Sequence, residues 1–265
     1  MAFADVAREA TPERMLQAFP DLESLETRPS SSESSTSVAA DKEGVFEGHN
    51  KEQIRLMNEA CIAVDFNDQP YAAGSKKTLH LMTSIHQGLL HRAFSVFLFN
   101  SEGKLLLQQR ASEKITFPDL WTNTCCSHPL AITSERGPTS DLAGFVEGVK
   151  TAAIRKLDHE LGIPNEDVPF DIFKFLTRIH YMAPSSGHWG EHEIDYILFA
   201  HANPKLQPSP NEVRDVKWVS KDELKAMFAD PEYHFTPWFK LICENYLFNW
   251  WGQDVPSDNE IRRML

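Results

Sequence analysis

The sequence has little of what a membrane, extracellular or nucleic-acid-binding protein needs. Its 265 residues contain no apolar run near the roughly 18 residues of a membrane helix, and the N-terminus has no apolar signal core. The four cysteines include an adjacent pair, Cys125 and Cys126, which is a poor candidate for a structural disulfide and favours a reducing compartment. No cluster of lysine and arginine forms a basic face, and the net charge is −12. These absences predict a cytoplasmic protein that binds neither membrane nor nucleic acid.

Two further absences narrow the class of protein. No G-x-G-x-x-G fingerprint follows an expected strand, which disfavours a flavin or nicotinamide cofactor, and no internal repeat is present. With 42% hydrophobic and 24% charged residues, the composition is that of a globular chain of one large domain or two small ones. We therefore expect a globular enzyme.

The first fifty residues differ in composition from the rest. They contain ten acidic and four basic residues and so carry half of the net charge. The tract 30–37 is mostly serine and cannot bury a core, and Thr11 is a candidate N-cap for a short helix near 12–19. We predict a disordered acidic N-terminal extension over 1–50 and a catalytic domain over 51–265. Whether the extension is regulatory or simply solvated stays open.

Apolar patterns predict strands and helices that interleave without strict alternation. Strands are expected at 58–66, 92–99, 104–110, 193–200 and 213–219. Helices are expected at 147–161, where apolar residues recur every fourth position and Gly162 ends the helix, and at 221–228 and 237–251. The fold class is therefore predicted as α+β (mixed α/β), with a mixed central sheet flanked by helices.

The helix over 147–161 partly matches the Nudix box, the loop–helix motif with which diphosphate hydrolases hold divalent metal. With the last glycine of the motif at Gly162, the matching residues are Glu147, Arg155, Leu157, Glu160, Gly162 and Ile163. Asp141 stands at the first glycine of the motif, and Lys156 and His159 stand where it has glutamates. Positions 156, 159 and 160 share one helical face, which therefore keeps a single carboxylate.

That loss of carboxylates bears on the chemistry of the helix. A hydrolase collects Mg²⁺ and activates water with several carboxylates on this face, so a water-activating cluster is not expected here. Glu160 can still hold one Mg²⁺ against a bound diphosphate. On this motif alone, an amphipathic acidic helix unrelated to the Nudix box is an equal alternative.

Two other segments resemble the motifs of one enzyme family. Residues 122–129, TNTCCSHP, resemble the catalytic-cysteine motif of type 1 isopentenyl-diphosphate isomerases, and residues 189–196, WGEHEIDY, resemble that family's second motif. Three further segments resemble its eukaryotic members: 89–97, 106–110 and 114–118. The similarity runs from about residue 51 to the C-terminus and is of a fungal kind. It implies a Nudix-like fold with a degenerate box.

The resemblance implies that isopentenyl diphosphate is isomerised to dimethylallyl diphosphate, a step of isoprenoid and sterol biosynthesis. The reaction adds a proton to one end of an unactivated alkene and removes another from the adjacent CH₂. It needs a strong desolvated acid, a base on the other face, a wall that stabilises positive charge, and exclusion of water. By position, Cys126 and Glu193 correspond to the family's catalytic cysteine and glutamate. Glu193 with Tyr181 is expected to deliver the proton and the Cys126 thiolate to take one, although coupled groups can trade these roles.

The resemblance also implies the metal and substrate sites. The residues that correspond to the family's metal ligands are His80, His91, His128, Glu191 and Glu193. Three imidazoles and two carboxylates suit Zn²⁺ or Mn²⁺. Glu191 and Glu193 are two apart on a strand and should face the same side, whereas His192 should point away.

The diphosphate is expected to contact Lys76, Arg110, Lys114 and the Ser127 backbone, and a second ion, Mg²⁺, to bridge it to Glu160 and the Cys126 carbonyl. Trp238 corresponds to the aromatic residue that the family places against the carbocation.

Two other functions remain to be weighed against isomerisation. A Nudix-type diphosphate hydrolase would release phosphate or pyrophosphate, and Lys156 and His159 argue against it. A non-catalytic diphosphate-binding protein would not need the pair Cys126 and Glu193, which is present. We expect a monomer, because related enzymes usually act as one.

Overall fold

The computed structural model describes residues 3–28 and 44–265. The strands of this part of the chain belong to one sheet and are β1 (Glu23–Ser24), β2 (Ala60–Val64), β3 (Pro70–Ser75), β4 (His91–Phe99), β5 (Leu105–Arg110), β6 (Trp121–Thr122), β7 (Cys125–Ser127), β8 (Lys174–Pro184), β9 (Gly190–His201), β10 (Val213–Val219) and β11 (Ile261–Met264).

The helices surround this sheet. They are α1 (Phe3–Glu9), α2 (Pro12–Ala18), α3 (Lys51–Leu56), α4 (Lys76–His80), α5 (Met82–Ile85), α6 (Thr133–Arg136), α7 (Leu142–Leu161), α8 (Lys221–Ala229), α9 (Pro237–Ile242) and α10 (Phe248–Trp250). A 3₁₀ turn covers Phe170–Ile172, and a π-helical segment covers Cys243–Leu247. Within the described ranges, no helix combines the length and the apolar character required to cross a membrane.

The sheet is mixed, as predicted. Its main path runs β1-β3-β2-β4-β9-β8-β11, with β4 and β9 parallel and β8 and β9 antiparallel. Strands β5, β6, β7 and β10 lie off this path, and β7 pairs with β4 in antiparallel register. The register places His91 opposite Glu193 in the β4–β9 pair and Cys126 opposite Ser95 in the β4–β7 pair. Three segments with chemically active side chains therefore meet on β4.

Strand β4 is buried along its whole length because apolar layers cover both faces of the sheet. Phe94, Val96 and Leu98 face one core, which the apolar face of α7 completes. Phe97 and Phe99 face a second core that includes the aromatic C-terminal helices. This alternation follows from the period of two along a strand and explains why the segment lacks polar alternation.

Helix α7 begins earlier than the sequence predicts. Asp141 is its N-cap and accepts a hydrogen bond from the Gly144 amide, and Gly162 ends the helix as expected. Gly144 and Gly148 are weak helix formers, so the pattern of apolar residues does not predict the first turns of the helix. Both lie against backbone: a Cβ at Gly148 would stand 2.3 Å from the carbonyl oxygen of Glu135.

Residues 3–28 belong to the extension that the sequence predicts to be disordered, yet they form α1, α2 and β1, and β1 pairs with β3. Thr11 caps α2, as predicted, and accepts a hydrogen bond from the Arg14 amide. Met15 and Leu22 join an apolar cluster with Leu79 of α4. The serine-rich tract 30–37 lies outside the described residues, so its disorder and the domain boundary at residue 50 stay predictions.

The aromatic segment 237–251, predicted as one helix, is helical from Pro237 to Trp250. Helix α9 (Pro237–Ile242), a π-helical segment (Cys243–Leu247) and α10 (Phe248–Trp250) follow one another directly, and the residues at both junctions keep right-handed helical dihedrals. Phe239, Ile242 and Leu247 are buried in the second core, which stabilises the helix by packing.

Candidate functional site

One pocket brings together most of the residues that the sequence singles out. Its lining consists of Lys76, Arg110, Lys114, Thr116, Cys126, Ser127, His128, Glu160, Tyr181, Glu191, Glu193 and Trp238. His80 and His91 lie directly behind His128 and the two glutamates. These residues come from α4, β4, β5, the following loop, β7, α7, β8, β9 and α9, so the pocket depends on the complete fold.

Five of these side chains form a compact cluster of potential metal ligands. One ligand atom from each of His80, His91, His128, Glu191 and Glu193 lies within 4.8 Å of all the others. His80 Nε2 is 2.9 Å from Glu191 Oε2, and His128 Nε2 is 2.8 Å from Glu193 Oε1. All five residues are buried. A buried set of three nitrogens and two carboxylates matches the donors that Zn²⁺ and Mn²⁺ prefer.

The protonation of the cluster supports cation binding. Burial, together with the neighbouring imidazoles, lowers the pKa of His128 well below its usual range; burial also lowers that of His80. Neutral imidazoles present lone pairs. His80 Nδ1 donates to the Lys76 carbonyl at 2.7 Å, which leaves Nε2 to face the cluster. His80 Nε2, His91 Nε2 and Glu191 Oε2 have no hydrogen-bond partner among the described residues. Because such buried orphans are costly, the donor set fits a bound ion.

Strand alternation sorts the residues of β9. Glu191 and Glu193 face the cluster, as predicted for residues two apart. His192 faces the other way: its Nδ1 donates to the Leu89 carbonyl at 2.8 Å, and its Nε2 lies 2.9 Å from His180 Nε2. His192 therefore points away from the cluster, as expected, and its exclusion from the ligand set stays a prediction.

The acid–base candidates Cys126, Glu193 and Tyr181 line the same pocket. The Tyr181 hydroxyl donates to Glu193 Oε2 at 2.5 Å. Burial, reinforced by the charge of Glu193, raises the pKa of Tyr181. Burial opposes ionisation of Glu193, but the His91 imidazole, whose Nε2 lies 3.3 Å from Oε1, outweighs it, and the pKa of Glu193 is lowered. Burial also raises the pKa of the Cys126 thiol to about 12, and the charge of Arg110 opposes this rise.

Three cations, Lys76, Arg110 and Lys114, line the side of the pocket that could receive an anion. Arg110 donates to the carbonyl oxygens of Thr116 and Phe117, which fixes its guanidinium against the loop after β5. Lys114 Nζ lies 2.6 Å from Glu212 Oε2. This concentration of positive charge suits a phosphate group.

The Nudix-like face of α7 also reaches the pocket. Lys156 Nζ lies 3.1 Å from both His159 Nδ1 and Glu160 Oε1, so the predicted shared face is present. Gln108 Nε2 donates to Glu160 Oε2 at 3.0 Å. Glu160 is thus already balanced by a lysine, in contrast to a face of several free carboxylates.

Sequence reasoning missed a polar network behind the pocket. Asn123 Oδ1 accepts a hydrogen bond from Trp238 Nε1 at 3.2 Å, and the Thr122 and Thr236 hydroxyls are 2.8 Å apart. Thr116 lines the pocket as well. Thr122 and Asn123 stand in the motif that carries Cys126, and a run of three polar residues, 122–124, just before the cysteine pair was the available signal.

Comparison with known proteins fits this geometry. The NUDIX domain family model matches residues 89–239, more than half of the chain. The isopentenyl-diphosphate delta-isomerase of Gibberella zeae is 57% identical over 96% of this chain and 95% of its own. That of Schizosaccharomyces pombe is 63% identical over 82% of this chain and 93% of its own. The predicted family and fold are confirmed: the chain belongs to the NUDIX family and, within it, to the isopentenyl-diphosphate delta-isomerases.

Proposed function

We propose that this enzyme isomerises isopentenyl diphosphate to dimethylallyl diphosphate by moving a proton across the allylic unit. The observation that carries the proposal is that Cys126 and the hydrogen-bonded pair of Tyr181 and Glu193 line one pocket with three cations. Acid, base and diphosphate contacts are thereby available to a single small substrate. The names of relatives more than half identical to this chain support the same reaction.

The proton steps assign one role to each acid–base group of the pocket. Glu193 and Tyr181 deliver a proton to the terminal CH₂ of the alkene, which leaves positive charge on the tertiary carbon. The Cys126 thiolate then removes a proton from the adjacent CH₂, and the double bond forms between these two carbons. The lowered pKa of Glu193 and the raised pKa of Cys126 favour a carboxylate and a thiol in the free enzyme, so this direction of transfer starts from the less populated protonation state of each group. Trp238 faces the pocket as an apolar wall that stabilises the positive charge.

Metal ions and basic side chains are the two kinds of cation that would assist the reaction. The residues that would hold Zn²⁺ or Mn²⁺ are His80, His91, His128, Glu191 and Glu193. Such an ion supplies Lewis acidity that changes the proton affinity of its carboxylate ligands. Lys76, Arg110, Lys114 and the backbone of Ser127 bind the diphosphate. Glu160, which is paired with Lys156, and the Cys126 carbonyl are the groups that would hold a second ion, Mg²⁺, which would neutralise charge on the diphosphate.

Hydrolysis is the weaker alternative. A Nudix hydrolase gathers carboxylates around a water molecule, whereas here Lys156 and His159 occupy that face beside Glu160. A diphosphate-binding protein without activity would not need the contact between Tyr181 and Glu193.

The wider assignments rest on composition and placement. We propose that the catalytic domain is 51–265, because the lining of the pocket runs from Lys76 to Trp238. The enzyme acts as a monomer in the cytoplasm, where reduced thiols persist; the four cysteines are unpaired. Its product enters isoprenoid and sterol biosynthesis.

The direct test is a proton NMR time course with isopentenyl diphosphate and Mg²⁺ in D₂O. We expect deuterium in the methyl and C2 positions of the product, with the diphosphate intact. Cys126→Ser and Glu193→Gln should each reduce the rate by about a thousandfold or more, since each removes a group that transfers a proton. Cys243→Ala, at a buried thiol in the second core, is the matched control and should stay near the wild-type rate.

The outcomes separate the alternatives. Release of phosphate without isomerisation supports a hydrolase. Near-wild-type activity in either pocket variant contradicts the assigned proton chemistry.

A further inference from the structure

Asn123 connects the cysteine-bearing segment to the tryptophan of the pocket. Its side chain is fully buried between β6 and β7. Oδ1 accepts from Trp238 Nε1 at 3.2 Å and from the neighbouring Thr122 hydroxyl at 3.0 Å, and Nδ2 donates to the carbonyl oxygens of Cys125 at 2.9 Å and Val96 at 3.2 Å. The amide can take one orientation here, because an indole nitrogen only donates and carbonyl oxygens only accept. Asn123 therefore meets Trp238 with a defined acceptor.

The remaining contacts of Trp238 are less directional. Its ring meets Phe117 edge-on with centroids 5.1 Å apart, and Tyr181 lies 6.2 Å away. The Arg110 guanidinium lies 5.8 Å from the ring centroid. Ring contacts of this kind tolerate a change of tilt, whereas a hydrogen bond to the indole nitrogen weakens as the ring turns.

We propose that Asn123 is a positioning residue that fixes the tilt of the Trp238 indole toward the reacting carbon. This inference rests on the proposed function, in which the indole face meets positive charge. A ring stabilises a cation across its face and not at its edge, so the tilt sets the strength of the interaction. Asn123 does not line the pocket and acts through Trp238.

A purely structural role for Asn123 is the competing explanation, because its Nδ2 also connects two carbonyl groups. Thr124 offers a matched control for that role. It is equally buried, it bridges neighbouring strands through bonds to the Leu106 carbonyl and the Leu98 amide, and it does not line the pocket. Thr124→Val removes these bonds at nearly constant volume and leaves the hydrogen bond of Trp238 in place.

The kinetic test is a double-mutant cycle with isopentenyl diphosphate as substrate. We expect Asn123→Leu to lower kcat by about thirtyfold, in the range that misplacement of a reacting group costs. KM should change little, because the diphosphate contacts are elsewhere. Thr124→Val should leave kcat near wild type. In the Trp238→Phe background, which has no indole nitrogen, Asn123→Leu should lower kcat by less than about threefold, since coupled residues do not act additively.

A spectroscopic readout checks the contact without reference to activity. In a proton–nitrogen correlation spectrum, the indole cross-peak of Trp238 is the one lost in Trp238→Phe. It should shift in Asn123→Leu and stay in place in Thr124→Val. Asn123→Ala also removes the acceptor of the indole and introduces no bulky side chain. If Asn123→Leu does not fold, Asn123→Ala takes its place and should show the same shift of the cross-peak and a comparable loss of kcat.

Several outcomes would overturn the proposal. An unchanged kcat or cross-peak in Asn123→Leu, or effects that multiply in the double variant, overturns the positioning role. If Asn123→Leu does not fold, an unchanged cross-peak or an unchanged kcat in Asn123→Ala overturns it too. A wild-type enzyme that does not isomerise isopentenyl diphosphate overturns the proposed function itself.

Discussion

At the scale of single residues, two buried charges beside the pocket, Lys114 and Glu212, balance each other as a pair. Glu212 accepts from Lys114 Nζ at 2.6 Å and from Gln53 Nε2 at 2.8 Å. Burial opposes ionisation of Glu212, but the charge of Lys114 outweighs it and holds the pKa of Glu212 well below its ordinary value of 4.5. Lys114 is therefore compensated and held in place before any anionic ligand binds.

Neutralising Glu212 should destabilise the fold in a pH-dependent way. Because its pKa is lower in the folded than in the unfolded chain, the ionised carboxylate stabilises the fold at neutral pH, and this stabilisation is lost as pH falls below about 4.5. Glu212→Gln should lower the free energy of unfolding by about 3 kcal/mol at pH 7, the cost of breaking a buried ion pair. Urea unfolding at pH 7 and at pH 3 measures the difference in the free energy of unfolding between the wild type and Glu212→Gln. This difference should be smaller at pH 3 than at pH 7.

The control for this prediction is Glu102→Gln. Glu102 is exposed and 3.5 Å from Lys104, and exposed pairs contribute little to stability. An equal loss of stability in the two variants, or a loss in Glu212→Gln that does not depend on pH, contradicts the prediction.

At the scale of elements, the predictable parts are those in which one pattern dominates. The period of four on α7 and the buried run on β4 both predict the observed elements. The start of α7 was not predicted because close backbone contacts require glycine at Gly144 and Gly148, and glycine is not typical of a helix. Of the N-terminal helices, α2 is predicted by its Thr11 cap, whereas α1 and the packing of both helices were missed because each has only seven residues. Helices so short depend on tertiary contacts that local composition does not reveal.

The packing of α1 can be tested at Gly88. This residue has φ +94°, and an added Cβ would lie 2.7 Å from Ala10 Cβ and 2.9 Å from the Val6 carbonyl oxygen. Gly103 has φ +71° with nothing within 4 Å of an added Cβ. Both Gly→Ala variants carry the cost of a left-handed alanine. Gly88→Ala should lower the free energy of unfolding by about 1–3 kcal/mol more than Gly103→Ala does, which is the range for overpacking. Chemical unfolding of the two variants measures this difference. Equal losses of unfolding free energy in the two variants would contradict the packing of α1 against Gly88.

At the scale of the whole molecule, the site joins residues that are far apart in sequence. The potential ligands His80, His91 and His128 come from α4, β4 and the segment after β7, and Glu191 and Glu193 from β9. Alternation along β9 predicts that the two glutamates share a face, but no periodicity connects them to the three histidines. Resemblance to a family was needed for that step, because the spacing between ligands is set by the topology of the sheet.

Since the cluster exists only in the folded chain, metal binding should stabilise the entire molecule. Zn²⁺ at a hundred times its dissociation constant should add about 2.7 kcal/mol. For a chain of this size, that raises the melting temperature by roughly 5–10 °C. Thermal unfolding of chelator-treated protein with and without added Zn²⁺ measures the shift. His91→Asn should abolish it, whereas His86→Asn, at an exposed residue outside the cluster, should retain it. A shift that survives in His91→Asn would mean that the stabilising ion binds at another site.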